Sequence, residues 1–510
     1  MILSVEDIRK SEQFTMEQEP IASINLMERA GEAFVLRLLQ SGHLLAENRV
    51  AVFCGPGNNG GDGLVIARCL AQNGFSTTAV LCTAEGKTTP DYEINLERIK
   101  NLSIPSLQVL DYHSELMHSL SKDSNLIIID ALFGIGLSKP LTGYFASIVQ
   151  NINTLYLPVI AVDVPSGLFP DQHTPANCTT ILASYTYTFQ CMKLAYLLPE
   201  NEKRVGDIVL VDIGLQLPPE LKPDKMLITH DVVKGLLVPP SKYAHKGTNG
   251  HGLLIAGSAE MPGAALLASK AAMRSGIGKV TLHSQATVLD KLTFYLPEAL
   301  QSKDCSQNCF SRINLDELPT ITAIAVGPGL GKRKETVSAL ETLLDDVKQS
   351  VILDADALNI LGENRTWLAC LPKCSILTPH FKEFDRLAGV AVHDFDRLDR
   401  LKHFAQRYGI IVILKGANSA VAMPDGKLFF NTTGNAGMAT AGAGDVLTGI
   451  LLAFLSKGYP PEIAAMLACY LHGLAGDLAV KKRESYESLI ASDLIDFLRD
   501  AFREMEGEKI

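Results

Sequence analysis

The sequence predicts an α/β protein made of two doubly wound halves, on three observations. Short, continuously apolar runs recur along the 510 residues, each stopping at a loop that bears Gly or Asp. Segments with helical periodicity lie between them. A proline-rich stretch around 215–226, running Leu-Gln-Leu-Pro-Pro-Glu-Leu-Lys-Pro-Asp, divides the series in two.

In the first half, residues 23–40 place Ile24, Met27, Ala30, Ala33, Phe34 and Leu38 on one helical face. Arg49–Cys54 (RVAVFC), Asn125–Asp130 (NLIIID) and Pro158–Asp163 (PVIAVD) read as buried parallel strands, with helical character at Gly63–Gln72 between the first two. That alternation is βαβ logic and predicts a Rossmann-like doubly wound sheet. After the boundary come Gly252–Ala256 (GLLIA), Thr322–Val326 (TAIAV), Val351–Asp354 (VILD), Ser375–Leu377 (SIL) and Ile410–Leu414 (IIVIL). A glycine-rich segment then leads into a helix at Val446–Leu455, so the second half is also α/β with both sheet faces covered.

Composition narrows the function classes. Hydrophobic residues make up 47% and charged residues 20%, the balance of a globular chain. With 46 Lys plus Arg against 56 Asp plus Glu the net charge is −10, which argues against a nucleic-acid binder but leaves room for a phosphorylated ligand held by amides at a helix start. The 10 cysteines are scattered without a Cys-x-x-Cys pair and read as reduced thiols rather than a zinc site. Glu6 and Asp7 stand where a signal peptide needs basic residues, and no apolar stretch is expected to approach the length of a membrane span. A cytoplasmic protein with small-molecule partners, no nucleic acid and no membrane is expected, assembled as a homo-oligomer.

The densest signal is Asn435-Ala436-Gly437-Met438-Ala439-Thr440-Ala441-Gly442-Ala443-Gly444-Asp445 ahead of the last helix pattern. Small residues let a ligand approach the backbone, and the helix start offers free N–H groups. Asp445 would lie beside that anion hole, able to take a proton from an attacking hydroxyl, an arrangement suited to phosphoryl transfer. A helix N-cap after a loose loop is the plainer alternative. Against it stand Lys415-Gly416-Ala417-Asn418-Ser419, Gly327-Pro328-Gly329-Leu330-Gly331 and Asp354-Ala355-Asp356-Ala357, each at the C-terminal end of an expected strand, where open α/β sheets build their crevices.

In the first half, Gly55-Pro56-Gly57-Asn58-Asn59-Gly60-Gly61-Asp62-Gly63 follows a strand and opens a helix. Its glycines would let backbone amides face a phosphate, although it is neither Gly-x-Gly-x-x-Gly in register nor a Walker loop. Asp130-Ala131-Leu132-Phe133-Gly134-Ile135-Gly136 and Asp163-Val164-Pro165-Ser166-Gly167 end the other strands. Carboxylates there can bind a cation, hydrogen-bond a ribose or move protons, or else simply cap a turn.

The strand ends and Gly-Ala-Gly-Asp helix of the second half resemble the ribokinase-like superfamily, which implies an α/β/α sandwich. Ala244-His245-Lys246-Gly247-Thr248, Thr378-Pro379-His380 and Met261-Pro262-Gly263-Ala264-Ala265 narrow the resemblance, over residues 226–505, to the NAD(P)H-hydrate dehydratase family. The resemblance implies removal of water from a hydrated nicotinamide ring, driven by conversion of ADP to AMP and phosphate, with Mg²⁺ on the phosphates. It implies nucleotide contacts at Lys415, Gly416, Ala417, Asn418, Ser419 and Gly444. It implies substrate contacts at Ala265, Gly329, His380 and Asp445, with Asp445 catalytic. The family pattern after Thr-Pro-His is Pro-Gly-Glu, whereas this chain has Phe381-Lys382-Glu383.

With Leu26-Met27-Glu28-Arg29-Ala30-Gly31, the first-half motifs resemble the NAD(P)H-hydrate epimerase family over residues 1–218. That resemblance implies that Asn58, Asn59, Gly60, Gly61, Asp62, Gly134, Ile135, Gly136, Leu137, Ser138, Lys139, Pro140 and Asp163 contact the hydrated dinucleotide. It also implies potassium at Asn59, Asp130 and Ser166. Asp163 is taken as the acid/base from its place at a strand end. Together the halves resemble a fused repair enzyme, in which the first interconverts R and S hydrates and the second consumes the S form. Two alternatives stay open: a ribokinase-like kinase of a vitamin-precursor alcohol joined to a nucleotide-binding domain, and a catalytically idle nucleotide sensor.

Overall fold

The computed structural model describes residues 1–83, 87–483 and 485–506. They form two compact units, Met1–Pro223 with His393–Phe395, and Asp224–Val392 with Asp396–Ile510.

The first unit is built on a parallel sheet of β1 (Arg49–Cys54), β2 (Ser76–Leu81), β3 (Leu107–Asp111), β4 (Leu126–Ala131), β5 (Val159–Val162), β6 (Tyr185–Phe189) and β7 (Asp207–Val211). Their spatial order is β3-β2-β1-β4-β5-β6-β7. The switch in direction beside β1 is where a doubly wound sheet opens its crevice. Successive residues of β1 serve opposite layers, as pleating requires. Val50, Val52 and Cys54 pack with Leu26, Phe34 and Leu38 of the helix Ser23–Ser41 and with Leu64 of the helix Asn58–Gln72. Ala51 and Phe53 pack with Ile148 and Ile152 of the helix Gly143–Thr154.

That second helix begins five residues earlier than the periodicity suggests, because the glycine run belongs inside it. A Cβ on Gly60 would sit 1.7 Å from the Gly55 carbonyl oxygen, and one on Gly63 2.6 Å from the Ala131 Cβ. A Cβ on Gly55 would meet the Leu132 oxygen at 1.9 Å, and one on Gly61 the Met27 sulfur at 2.7 Å. Three of the five glycines therefore answer to close packing of the helix start on the ends of β1 and β4, Gly61 answers to packing on the helix Ser23–Ser41, and only Gly57 opens on free space.

In the second unit the strands are β8 (Lys225–Ile228), β9 (His251–Ile255), β10 (Lys279–Ser284), β11 (Leu300–Lys303), β12 (Ala323–Val326), β13 (Val351–Leu353), β14 (Ile376–Leu377), β15 (Ile411–Leu414), β16 (Ser419–Ala422) and β17 (Leu428–Asn431). Their order is β11-β10-β9-β12-β13-β14-β15-β16-β17-β8, parallel except where β16 runs against β15 and β17. The first strand in sequence thus closes the far edge, beside β17. It starts within the proline-rich stretch, and Leu215 is buried in the first unit's core, so the connection is shorter than 215–226.

Helices Pro262–Arg274, Ala443–Ser456, Pro461–Arg483 and Ala491–Glu506 share one apolar core with the strands. Gly449 allows the first two to cross closely, since its Cβ would lie 2.1 Å from the Ala268 oxygen. The helix Pro461–Arg483 corrects the expectation that no segment approaches a membrane span. By length and composition it could cross a bilayer, but 72% of its apolar window is buried inside the unit. All ten cysteines are unpaired, as reduced thiols should be.

Candidate active sites

In the second unit the ends of β13 and β15 bring Asp354 and Lys415 together. The Lys415 Nζ donates to Asp354 Oδ1 at 2.9 Å, and the Thr448 hydroxyl donates to Asp354 Oδ2 at 2.8 Å. Asp354 is almost wholly buried, so this cation is what makes its charge tolerable. Burial alone would lower the Lys415 ammonium, but Asp354, Glu383 and Asp445 outweigh it and hold it above its usual range.

Above this pair starts the helix Ala443–Ser456. Gly442 takes φ 91 at its N-cap, a left-handed conformation that glycine adopts without strain. A Cβ on Gly444 would lie 3.2 Å from Lys415 Nζ, so the lysine sits directly beneath the helix start. Asp445 is the third helical residue, half-buried, and burial with the nearby Asp354 raises its carboxyl to about 6. Lys415 opposes that rise and Asp356 adds to it. The arrangement combines a fixed cation, helix-start amides and a carboxyl that exchanges a proton close to neutrality.

The remaining residues expected here fall around this centre. Gly416 and Ala417 are exposed on the tight turn from β15 to β16, which Ser419 closes by hydrogen bonding with both backbone groups of Gly416. Asn418 lies on the same turn. Gly329 has φ 60 and lies against Met261 and Ala264, where a side chain would collide. Its loop is anchored by the Gly331 amide donating to Asp356 Oδ2 at 2.8 Å. His380 forms an isolated parallel bridge with Lys415 and caps the helix Phe381–Ala388. Its Nδ1 accepts from the Glu383 amide, while Glu383 accepts from the His380 amide. The departure from Pro-Gly-Glu thus keeps the residue that matters for the cap. Phe381 adds a ring that packs on Gly416 and stacks under Arg397.

Ala265, expected to contact the substrate, is fully buried, its methyl lying under Gly257. The solvent-facing part of that turn is Met261 and Gly263. Missed altogether was the face of the helix Pro461–Arg483 beneath the glycine-rich segment. Asp477 accepts from the Gly434 amide at 2.9 Å and the Asn435 side chain at 3.0 Å. His472 Nε2 lies 2.9 Å from the Ala443 carbonyl oxygen.

In the first unit the ends of β1, β4 and β5 lie side by side. Asp130 is fully buried and accepts from the Ser166 amide at 2.8 Å, the Ser166 hydroxyl at 2.7 Å and the Leu132 amide at 3.2 Å. Burial still raises it to about 6 despite those bonds. Among the described residues no basic side chain pairs with it. Asn59 stands over the same loop, its Oδ1 where a Cβ on Gly134 would be crowded at 3.1 Å, and its buried Nδ2 has no partner. The Asp130 carboxylate, which has no basic partner among the described residues, the Ser166 hydroxyl oxygen and the Asn59 Oδ1 are oxygen donors of the kind a monovalent cation would take.

Asp163 leaves β5 with φ 63 and its carbonyl accepts from the Tyr196 hydroxyl at 2.6 Å. Its Oδ1 accepts from Lys193 Nζ at 2.5 Å, the Phe189 amide at 3.0 Å and the Thr188 hydroxyl at 3.4 Å. Lys193 is 1% exposed. Asp163 and Lys193 line a cavity of about 100 Å³ together with Asn58, Asp62 and Glu12. Burial, with Asp163 and Glu12, pushes Asp62 well above the usual carboxyl range. Gly60 and Gly61 are buried, while Gly136, Ser138, Lys139 and Pro140 are exposed and Ile135 and Leu137 half-buried on the loop after β4. Sequence reasoning missed Lys193 and Glu12. A lone lysine within Cys191-Met192-Lys193-Leu194-Ala195 was the available signal for the first.

Two family models match the chain, one described as NAD(P)H-hydrate dehydratase over residues 252–499 and one as YjeF-related protein N-terminus over 23–195. The bifunctional NAD(P)H-hydrate repair enzyme Nnr of Moorella thermoacetica is 34% identical, covering 96% of this chain and 94% of its own. That of Thermofilum pendens is also 34% identical, with 99% and 97% covered. A solved structure, the ADP/ATP-dependent NAD(P)H-hydrate dehydratase of Bacillus subtilis co-crystallized with ATP/Mg²⁺, is 33% identical, with a TM-score of 0.47, and covers 55% of this chain and 98% of that one. Matched over nearly its whole length by such relatives, the chain belongs to the family of bifunctional NAD(P)H-hydrate repair enzymes.

Proposed function

We propose that the chain restores hydrated nicotinamide dinucleotides at two sites, interconverting R- and S-NAD(P)H hydrate in the first unit and dehydrating the S form in the second. The observation that carries the second activity is Asp445, three residues into a helix whose first amides and underlying Lys415 can hold phosphate. Asp445 takes the proton of the ring hydroxyl as that oxygen attacks the terminal phosphate of ADP, leaving AMP. Lys415 and the amides of Gly444 and Asp445 offset the charge that develops. Phosphate is a far better leaving group than hydroxide; its departure, pushed by the ring nitrogen's electron pair, and loss of a proton from the adjacent ring carbon to solvent restore the ring double bond.

Lys415 to Ser419 and Gly444 are the nucleotide contacts of this reading, with Gly329 and His380 on the substrate side. Mg²⁺ neutralises the phosphates when bound, and the negative field of Asp354, Asp356 and Asp445 fits a divalent cation. In the first unit Asn59, Asp130 and Ser166 would hold potassium, which compensates Asp130 and orders the loop after β4. The reading takes residues 1–218 and 226–505 as the two functional domains. It also takes a cytoplasmic location and a homo-oligomer.

The test is recovery of the reduced-nicotinamide absorbance on adding the protein and ADP, or ATP, to hydrated NADH. No recovery with either nucleotide overturns the dehydratase. A stable phosphorylated alcohol in place of free phosphate identifies a kinase instead.

A further inference from the structure

We infer that Glu12, on the N-terminal helix Val5–Gln18, is the proton carrier of the first site, working against Asp163 and Lys193 as a fixed charge pair. The inference rests on the epimerase reading of that site.

The Asp163–Lys193 pair is unsuited to carrying the proton itself. The Lys193 ammonium meets three acceptors, Asp163 Oδ1, the Thr188 hydroxyl at 2.7 Å and the Phe189 carbonyl at 3.0 Å. Protonating Asp163 would leave that buried ammonium without its counter-charge, which is the costly way to break a buried pair. The pair is a preorganised dipole instead, able to orient a hydroxyl and to stabilise charge that forms beside it.

Glu12 has the opposite environment. It lines the same cavity as Asp163, Lys193, Asp62 and Asn58, it is half-buried, and no hydrogen bond holds its carboxyl among the described residues. It comes from a helix that precedes the stretch matched by the YjeF-related N-terminus model, which begins at residue 23. Burial and then Asp163 raise its carboxyl to about 7, against the pull of Lys193 and Arg9. A group that exchanges its proton at the working pH is best placed for acid–base work. Asp62 is pushed well up by burial, Asp163 and Glu12, and enters the reaction as a hydrogen-bond donor.

The chemistry needs one such carrier. The ring carbon to be inverted bears both the hydroxyl and the ring nitrogen. Glu12 takes the hydroxyl proton, a carbonyl forms at that carbon, and the carbon–nitrogen bond breaks with its electron pair going to nitrogen. Rotation about the adjacent carbon–carbon bond presents the other carbonyl face. The nitrogen re-adds, and Glu12 returns the proton to the new alkoxide. Atoms and electrons balance without an added reagent.

The experiment follows R-to-S interconversion by the full-length chain with Glu12→Gln, Glu12→Ala and the unaltered protein. Glu12→Gln should cut kcat about 100-fold or more while KM stays within about threefold. In the unaltered chain kcat should rise through a pH of about 7, as Glu12 must be ionised to accept the proton, and that limb should vanish in Glu12→Gln. Added formate should restore turnover to Glu12→Ala. Dehydration of the S form, measured on the same samples, should not change. A Glu12→Gln chain with near-normal kcat and the same pH limb overturns the inference. So does an inactive Glu12→Ala that formate leaves inactive. Failure of the unaltered chain to interconvert the two forms overturns the epimerase reading instead.

Discussion

His472 Nε2 and the Ala443 carbonyl oxygen lie 2.9 Å apart, joining the helix Pro461–Arg483 to the first residue of the helix that presents Asp445. A carbonyl only accepts, so Nε2 carries the hydrogen and the ring is a donor there. Burial lowers this histidine to about 4, with Lys415 reinforcing the shift.

Removing that donor should loosen the helix start without emptying the site. His472→Leu is expected to cost about 1–3 kcal/mol and to lower kcat more than it raises KM, whereas His472→Gln keeps an N–H and most of both. Denaturant unfolding and dehydration kinetics on the two variants check this. Equal damage from both would show that the bond is unimportant.

The same histidine sets an acid limit. Its folded value is about 4 and its unfolded value about 6.5, so the unfolded chain binds the proton first. The second unit should keep this contribution above pH 6.5 and lose it as pH falls from there towards 4. Melting temperature against pH, compared with His472→Gln, measures the difference.

Asp445→Asn should abolish dehydration and leave R-to-S interconversion intact. It should also stabilise the fold. A carboxyl raised to about 6 costs stability once it must ionise, fully so above that pH and not at all below about 4. An amide escapes that cost, so a gain on the order of 1 kcal/mol at pH 7.5 is expected from thermal unfolding. In the unaltered chain, kcat for dehydration should fall as pH drops through about 6, because the base is then protonated.

Lys193→Met should be more damaging than Asp163→Asn combined with it. Alone, it leaves the Asp163 charge buried and unpaired, at a cost of about 3–5 kcal/mol, while the double change removes both charges. Chemical denaturation of the three proteins tests the coupling.

Potassium should raise the melting temperature of the first unit by a few degrees at concentrations well above its Kd, and Asp130→Asn should erase that shift. A melt in sodium or lithium serves as the reference. Equal melting in all three salts would count against the site.

Much of this was legible because parallel strands covered on both faces read as continuous apolar runs. β1 was bounded to the residue, and the motifs at the ends of β13 and β15 do meet, as Asp354 and Lys415 show. β6, Tyr-Thr-Tyr-Thr-Phe, escaped because its hydroxyls are satisfied internally, Thr186 by the Val205 carbonyl and Tyr187 by Ser41. The glycines of Gly55–Gly63 were read as a ligand cradle, yet a missing Cβ looks the same in sequence whether a phosphate or a neighbouring carbonyl needs the room. Glu12 and Lys193 reach their site through separations of 151 and 30 residues from Asp163, and no local pattern records such a meeting.

The left-handed backbone of Asp163 limits how the first site can change. At φ 63 short polar residues are tolerated far better than longer ones, so the anchoring carboxylate cannot readily be lengthened by one methylene. Its reach is a constant of the scaffold. Adaptation to bulkier or smaller rings would therefore have to come from other residues lining the cavity, among them Leu26 and Met27, whose replacements must also satisfy the core they pack in.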